Sequence, residues 1–170
     1  MDLEVAEQYA VEMSDKLALD VRAVGSAEAS VRDADIVVTV TVADEPIVKE
    51  AWMKPGSFFA AVGSYQEQEF AVVQNSDKVV VDGLEHVLHR GTPVIALMVA
   101  QGMIREEDIL ELGGIVCGES PGRQSPEERV FFSPIGMGTE DVCVCTRVYR
   151  LAVEKGIGMK LGLFGMGANE

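Results

Sequence analysis

The chain has 170 residues, 48% of them apolar, and a formal net charge of −14. That length suits one domain with a real core, and the apolar content excludes a disordered chain. The acidic balance argues against nucleic acid and anionic membranes, which want basic patches, and no apolar run approaches the length of a membrane span.

The opening, MDLEVAEQYA, lacks the basic and apolar regions of a signal peptide, so a cytoplasmic setting is expected. Leu3, Ala6, Ala10, Met13 and Leu17 share one helical face, predicting a helix over Leu3–Leu17. Residues 18–24 read as a short strand, and Ser26 as the N-cap of a second helix. Two nearly continuous apolar runs follow, Asp35–Thr41 and Ser57–Val62. Strands buried on both faces of a parallel sheet have this pattern. Between them lie a helical stretch, Ile47–Trp52, and the turn Lys54-Pro55-Gly56, a spacer long enough for a parallel crossover.

A helical turn is expected within Glu67–Asn75 and a further strand at Lys78–Asp82. Helical pieces then cover Leu84–Arg90, Pro93–Gln101 and Glu106–Leu112, with a turn-rich loop at Gly118–Glu127. Arg129–Ser133 is the last strand. A final helix starts with Thr139 as its cap and runs to Lys155. The alternation predicts an α/β fold: a Rossmann-like, doubly wound, mostly parallel sheet. Residues 1–155 form this domain and 156–170 a Gly- and Met-rich tail.

Three cysteines, Cys117, Cys143 and Cys145, do not make a disulfide framework, and the apolar run VCVCTRVY predicts buried core thiols. His86 and His89 have no third ligand in sight, so no metal site is expected. Gly156 to Gly162 has glycine spacing related to a phosphate loop, but it follows a helix where such a loop follows a strand.

The motifs ADIVVTVT, EPIV, W-x-K-P-G, AVGS, VVVD, ELGGIVCGESPGR, FFSPIGMGTEDV and VYRLAVEKGIGMKL occur in this order along nearly the whole chain. In them the sequence resembles the ornithine cyclodeaminase/mu-crystallin family. The resemblance implies NAD or NADP as cofactor and a small amino or imino acid as substrate. It also implies that relatives carry a first Rossmann strand with a Gly-rich phosphate loop, and an N-terminal substrate and dimerisation domain, from sequence preceding Asp2. The expected fold is thus N-terminally truncated and incomplete, lacking that strand and loop.

In open α/β sheets ligands bind beyond the carboxyl ends of the strands. There the resemblance places Thr39, Val40 and Thr41, with Val62, Gly63 and Ser64 around the nicotinamide and Ser133 beside it. Strand propensity, a strand-end turn and a serine before proline are the plain alternatives. Asp2 falls near the acid that bonds the adenine ribose, or is a terminal acid. Asp82 faces the crevice or caps the next helix, and the cap is favoured. Arg123 is a candidate carboxylate clamp or a solvated loop residue.

The family loop G-x-D-x-P-G-K-x-E-L is two residues shorter here, with Tyr65 at the catalytic Asp position and Glu69 at the Glu position. A phenol is a poor base at neutral pH, which argues against cyclodeamination by the usual route. Glu67 is nearby, expected as an exposed loop residue. Branches of the family without that Asp include ketimine reductases and amino-acid dehydrogenases. The first expectation is therefore the cofactor-domain portion of an enzyme that transfers hydride to or from amino or imino acids, as in ornithine conversion to proline and ammonia. The alternative is a non-catalytic module, a split half or an oligomerisation or regulatory partner. In either case the uncovered strand edge predicts a homo-oligomer or an association with the missing N-terminal half.

Overall fold

The computed structural model describes residues 3–43, 45–63, 65–159 and 161. The chain divides into two compact units, Met1–Ile135 and Gly136–Glu170. The first opens with α1 (Leu3–Leu17) and α2 (Ala27–Val31), the latter capped by the Ser26 hydroxyl, which accepts from the Ala29 amide. Five strands follow: β1 (Ile36–Thr39), β2 (Phe58–Ala61), β3 (Lys78–Val81), β4 (Ile109–Glu111) and β5 (Val130–Ser133). Between them lie α3 (Phe70–Gln74), α4 (Leu84–Arg90), α5 (Val94–Ala100) and α6 (Leu112–Val116), with 3₁₀ turns at Glu50–Trp52 and Glu106–Asp108. The second unit contains α7 (Gly138–Lys155).

The strands form one sheet in the order β1-β2-β5-β3-β4, and every pairing is parallel. The mostly parallel sheet read from the sequence is thus wholly parallel. Side chains alternate across it. Val37, Phe59, Ala61, Val79, Val81, Ile109 and Phe131 point to one face, where Val31, Val72, Val73, Val87, Val94, Ile95 and Met98 pack on them. That face is the core, and helices α2 to α5 cover it. Phe59 and Phe131 stack at its centre, 5.4 Å between ring centroids.

On the opposite face, α6 and the loop at 118–123 close over Phe58, Val80, Val130 and Phe132, leaving a cavity of 280 Å³. β1 is an edge strand, and its outward side chains Ile36 and Val38 are 65% and 56% exposed.

Three local expectations are corrected. Residues 18–24 form no strand, because no neighbour among the described residues offers a ladder to them. They are held to α1 instead: the Ser14 hydroxyl accepts from the Val21 amide and donates to the Val21 carbonyl. Glu106–Leu112 is not a helix, since the free edge of β3 recruits Ile109–Glu111 as β4. The last helix starts at Gly138 with its N-cap at Met137, two residues before the expected Thr139, so Thr139 lies in the first turn and the Glu140 carboxylate accepts the Met137 amide.

The amino ends of β1 and β2 are pinned by the predicted turn. Gly56 sits at φ 73°, a left-handed conformation that favours glycine. Lys54 Nζ lies 2.6 Å from the Asp35 carboxylate and donates to the Asp33 carbonyl. The hydrogen bond and charge of Lys54 hold the Asp35 carboxyl below its ordinary range.

We expect Phe131→Ala to cost about 3–5 kcal/mol of stability in urea unfolding, and Phe132→Ala, on the half-open face, about 1–2 kcal/mol. The lowered Asp35 carboxyl means the Lys54 pair contributes above that group's unfolded pKa and is lost as pH falls through the folded one. The pair is exposed, so the stability change is small. In an NMR titration, Lys54→Met returns the Asp35 midpoint to the ordinary carboxylate range.

Candidate functional site

The ladder between β1 and β2 ends at Thr39 and Ala61. The Thr39 carbonyl then accepts from both the Val62 and Gly63 amides, at 2.9 and 3.2 Å, and the two chains separate. A crevice of 580 Å³ opens between them, at the carboxyl ends of the strands. Val40, Thr41 and Val42 line one side, Val62, Gly63 and Tyr65 the other, and Arg90 at the end of α4 completes it.

The floor of this divergence is a carboxylate. Glu67 is fully buried, accepting from the Thr41 amide at 2.5 Å and from the Gly63 amide at 3.1 Å. Its main chain is fixed as well, the carbonyl accepting from the Ile47 and Val48 amides, and Gln68 bridges Val48 as in a parallel ladder. The expectation of an exposed loop residue is therefore overturned. That short bridge carries residues 67 and 68 inside, and nothing in the local run Gln66-Glu67-Gln68-Glu69 marks which acid is buried.

The residues named from the sequence fall into three groups. Val40, Thr41, Val62, Gly63 and Tyr65 meet in the crevice, with Val40, Val62 and Tyr65 exposed there. Thr39 and Ser133 are buried at their strand ends, on the same face as the core residues two positions earlier. The Thr39 hydroxyl has no hydrogen-bond partner among the described residues. Glu69 takes a different post, accepting the Glu50 amide at 2.9 Å, while the Glu50 carboxylate in turn holds Arg129 at 2.8 Å. Asp2 and Ser64 lie outside the described residues.

Asp82 does not cap α4, whose N-cap is Gly83 without a side-chain bond. Its carboxylate instead accepts the Gly83 and Ile135 amides, both at 2.9 Å, tying the end of β3 to the chain leaving β5. Arg123 sits by the opposite cavity, donating to the Gly56 carbonyl near the amino end of β2. Gly156 closes α7, its amide bonded to the Ala152 and Val153 carbonyls, which accounts for a glycine after that helix. All three cysteines are exposed and unpaired, contrary to the core reading, and the described residues contain no metal-holding cluster.

The crevice has the lining a flat ring needs. Val40 and Val62 offer apolar walls to a flat ring, and the Thr41 hydroxyl, which accepts from the Ala43 amide, retains its proton to donate. No Gly-rich strand-to-helix turn lines it among the described residues.

A wholly parallel sheet, with a crevice where two adjacent strand ends part, defines a nucleotide-binding type of α/β domain. The particular family follows from comparison: residues 2–156 match the ornithine cyclodeaminase/mu-crystallin family, and the chain belongs to it. It is 34% identical over 163 residues to a Delta(1)-pyrroline-2-carboxylate reductase of Bacillus cereus, covering 93% of this chain and 50% of the relative. The structure superposes on Thermococcus litoralis Delta(1)-pyrroline-2-carboxylate reductase in complex with NADH and L-proline, with TM-score 0.83 and 31% identity. That match covers 95% of this chain and 51% of the other. An archaeal alanine dehydrogenase dimer with bound NAD gives TM-score 0.81 and 30% identity, over 95% of this chain and 50% of that one. The chain spans about half the length of the curated relatives it matches. Among the described residues no helix is long and apolar enough to cross a membrane.

We expect Asp82→Ala to cost about 1–3 kcal/mol, because the Ile135 amide loses its acceptor in a partly buried site. Hydrogen exchange should quicken at Ile135 while the Phe59 amide in the ladder stays protected.

Proposed function

We propose that this chain forms the nicotinamide-side portion of an NAD(P) site in an enzyme acting on small amino or imino acids. The observation that carries the reading is the strand-end crevice with its apolar walls Val40 and Val62 and a phenol, Tyr65, at the family's acid position. The chemistry such a cofactor brings is hydride transfer, here to the carbon of a C=N bond while the nitrogen takes a proton. The chain's own part is to hold the ring between the two valines and keep water from its face. Tyr65, half exposed at the mouth, offers a hydroxyl that orients a polar substrate group. Imine reduction or amino-acid dehydrogenation is favoured over ornithine cyclodeamination, since no carboxylate among the described lining residues serves as acid and base. Exposed, unpaired thiols suit a reducing compartment and so a cytoplasmic setting.

Titration with NADH and NADPH, followed by nicotinamide fluorescence, tests the reading. Micromolar binding is the expected result, and no binding at millimolar cofactor overturns it.

A second reading, a module that works by association, is favoured by the edge strand β1, whose Ile36 and Val38 are 65% and 56% exposed. On it, self-association through that edge gives dimers or larger species in light scattering. A monomer at micromolar concentration counts against it.

A further inference from the structure

Glu67 is a fully buried acid outside the crevice lining, and ionised carboxylates are not buried without compensation. Its compensation is specific: one oxygen takes the Thr41 amide and the other the Gly63 amide, 22 residues apart in sequence and on opposite sides of the crevice. Beyond Thr39 and Ala61 the ladder gives way: the Gly63 amide divides between the Thr39 carbonyl and the carboxylate, while the Thr41 amide takes the carboxylate.

Gly63 is the complement of this acid. Its φ is not among the positive values, so the backbone itself admits any residue. A Cβ there would collide with the Glu67 carboxyl carbon and both its oxygens, which are the three nearest atoms. The glycine makes room for a carboxylate from within the fold.

We propose that Glu67 is the positioning residue of the crevice, a two-pronged spacer that sets the separation of the Thr41 and Gly63 walls; its consequence for cofactor binding rests on the reading above. With a neutral amide at this position, one prong becomes a donor facing a donor, and one wall loses its anchor. Without Gly63, the carboxylate has no space and the walls spread.

The test uses the full chain and four variants: Glu67→Gln, Gly63→Ala, Glu67→Ala, and Gly63→Ala in the Glu67→Ala background. Asp77→Asn is the control. Asp77 also accepts a backbone amide, that of Arg129, but at the amino ends of β3 and β5, away from the crevice. We expect Glu67→Gln to speed hydrogen exchange about tenfold at Thr41 or Gly63 and to weaken NADH binding about tenfold, while Asp77→Asn leaves NADH binding at the wild-type value. Gly63→Ala should lower Tm in the wild-type background and leave it unchanged in the Glu67→Ala background, which isolates the pair. Wild-type exchange at both amides in Glu67→Gln, or equal Tm losses from Gly63→Ala in both backgrounds, overturns the spacer. NADH binding weakened equally by Asp77→Asn overturns its link to the crevice. Should the wild-type chain bind no dinucleotide, the cofactor reading fails by itself, and the exchange rates and the Gly63–Glu67 coupling still decide the spacer.

Discussion

The crevice depends on a single buried carboxylate. Parallel strands are held together by their ladder, and a crevice at their ends requires the ladder to stop and the chains to part. Parting exposes amides that need acceptors. Glu67 supplies acceptors from within the fold: it takes the Thr41 amide and shares the Gly63 amide with the Thr39 carbonyl, so both walls are tied where the strands diverge. The bridge of Val48 to Gln68 brings that side chain in, which gives the irregular segment between β2 and α3 a structural purpose.

The same economy recurs elsewhere. Asp82 holds the chain leaving β5, Asp77 holds the Arg129 amide, Glu69 holds the Glu50 amide, and Glu111 holds the Leu84 amide. The strong negative charge of the chain is thus partly structural: carboxylates serve as acceptors for loop amides at the strand ends. A charged acceptor makes a stronger bond than a neutral one, so each tie fixes a junction that a short strand cannot fix through its ladder. With strands of three or four residues, most of the sheet lies close to an end.

The two faces of the sheet are unequal. One is sealed by four helices on a core centred at Phe59 and Phe131; the other is closed over β2, β3 and β5 by α6 and a loop and open over β1. Parallel sheets are ordinarily covered on both sides. The exposed Ile36 and Val38, with Val40 just beyond the strand, are the apolar surface left on this face at β1.

The sequence by itself determined the periodic elements. Helix α1 has the predicted bounds, and β1, β2, β3 and β5 fall within the predicted apolar runs, because buried parallel strands write their burial into continuous β-branched stretches. The strand ends where the crevice opens followed from the same runs, whereas Val40, Thr41, Val62, Gly63 and Tyr65 of its lining were named from the family resemblance. Tertiary structure alone decided whatever depended on a neighbour. Residues 18–24 have strand composition but no partner, while Ile109–Glu111 sit in a helix-like acidic run and become a strand because β3 offered an edge. The thiols of Cys143 and Cys145 are exposed despite apolar company, since α7 buries none of its residues and local hydrophobicity does not by itself supply a neighbour. Glu67 and Glu69 are alike in sequence, and one was placed under the crevice and the other at a 3₁₀ turn by pairing with a segment some twenty residues away. Periodicity is local and can be read from one strand or helix; a partner lies elsewhere in the chain, and its choice is made only when the whole sheet closes.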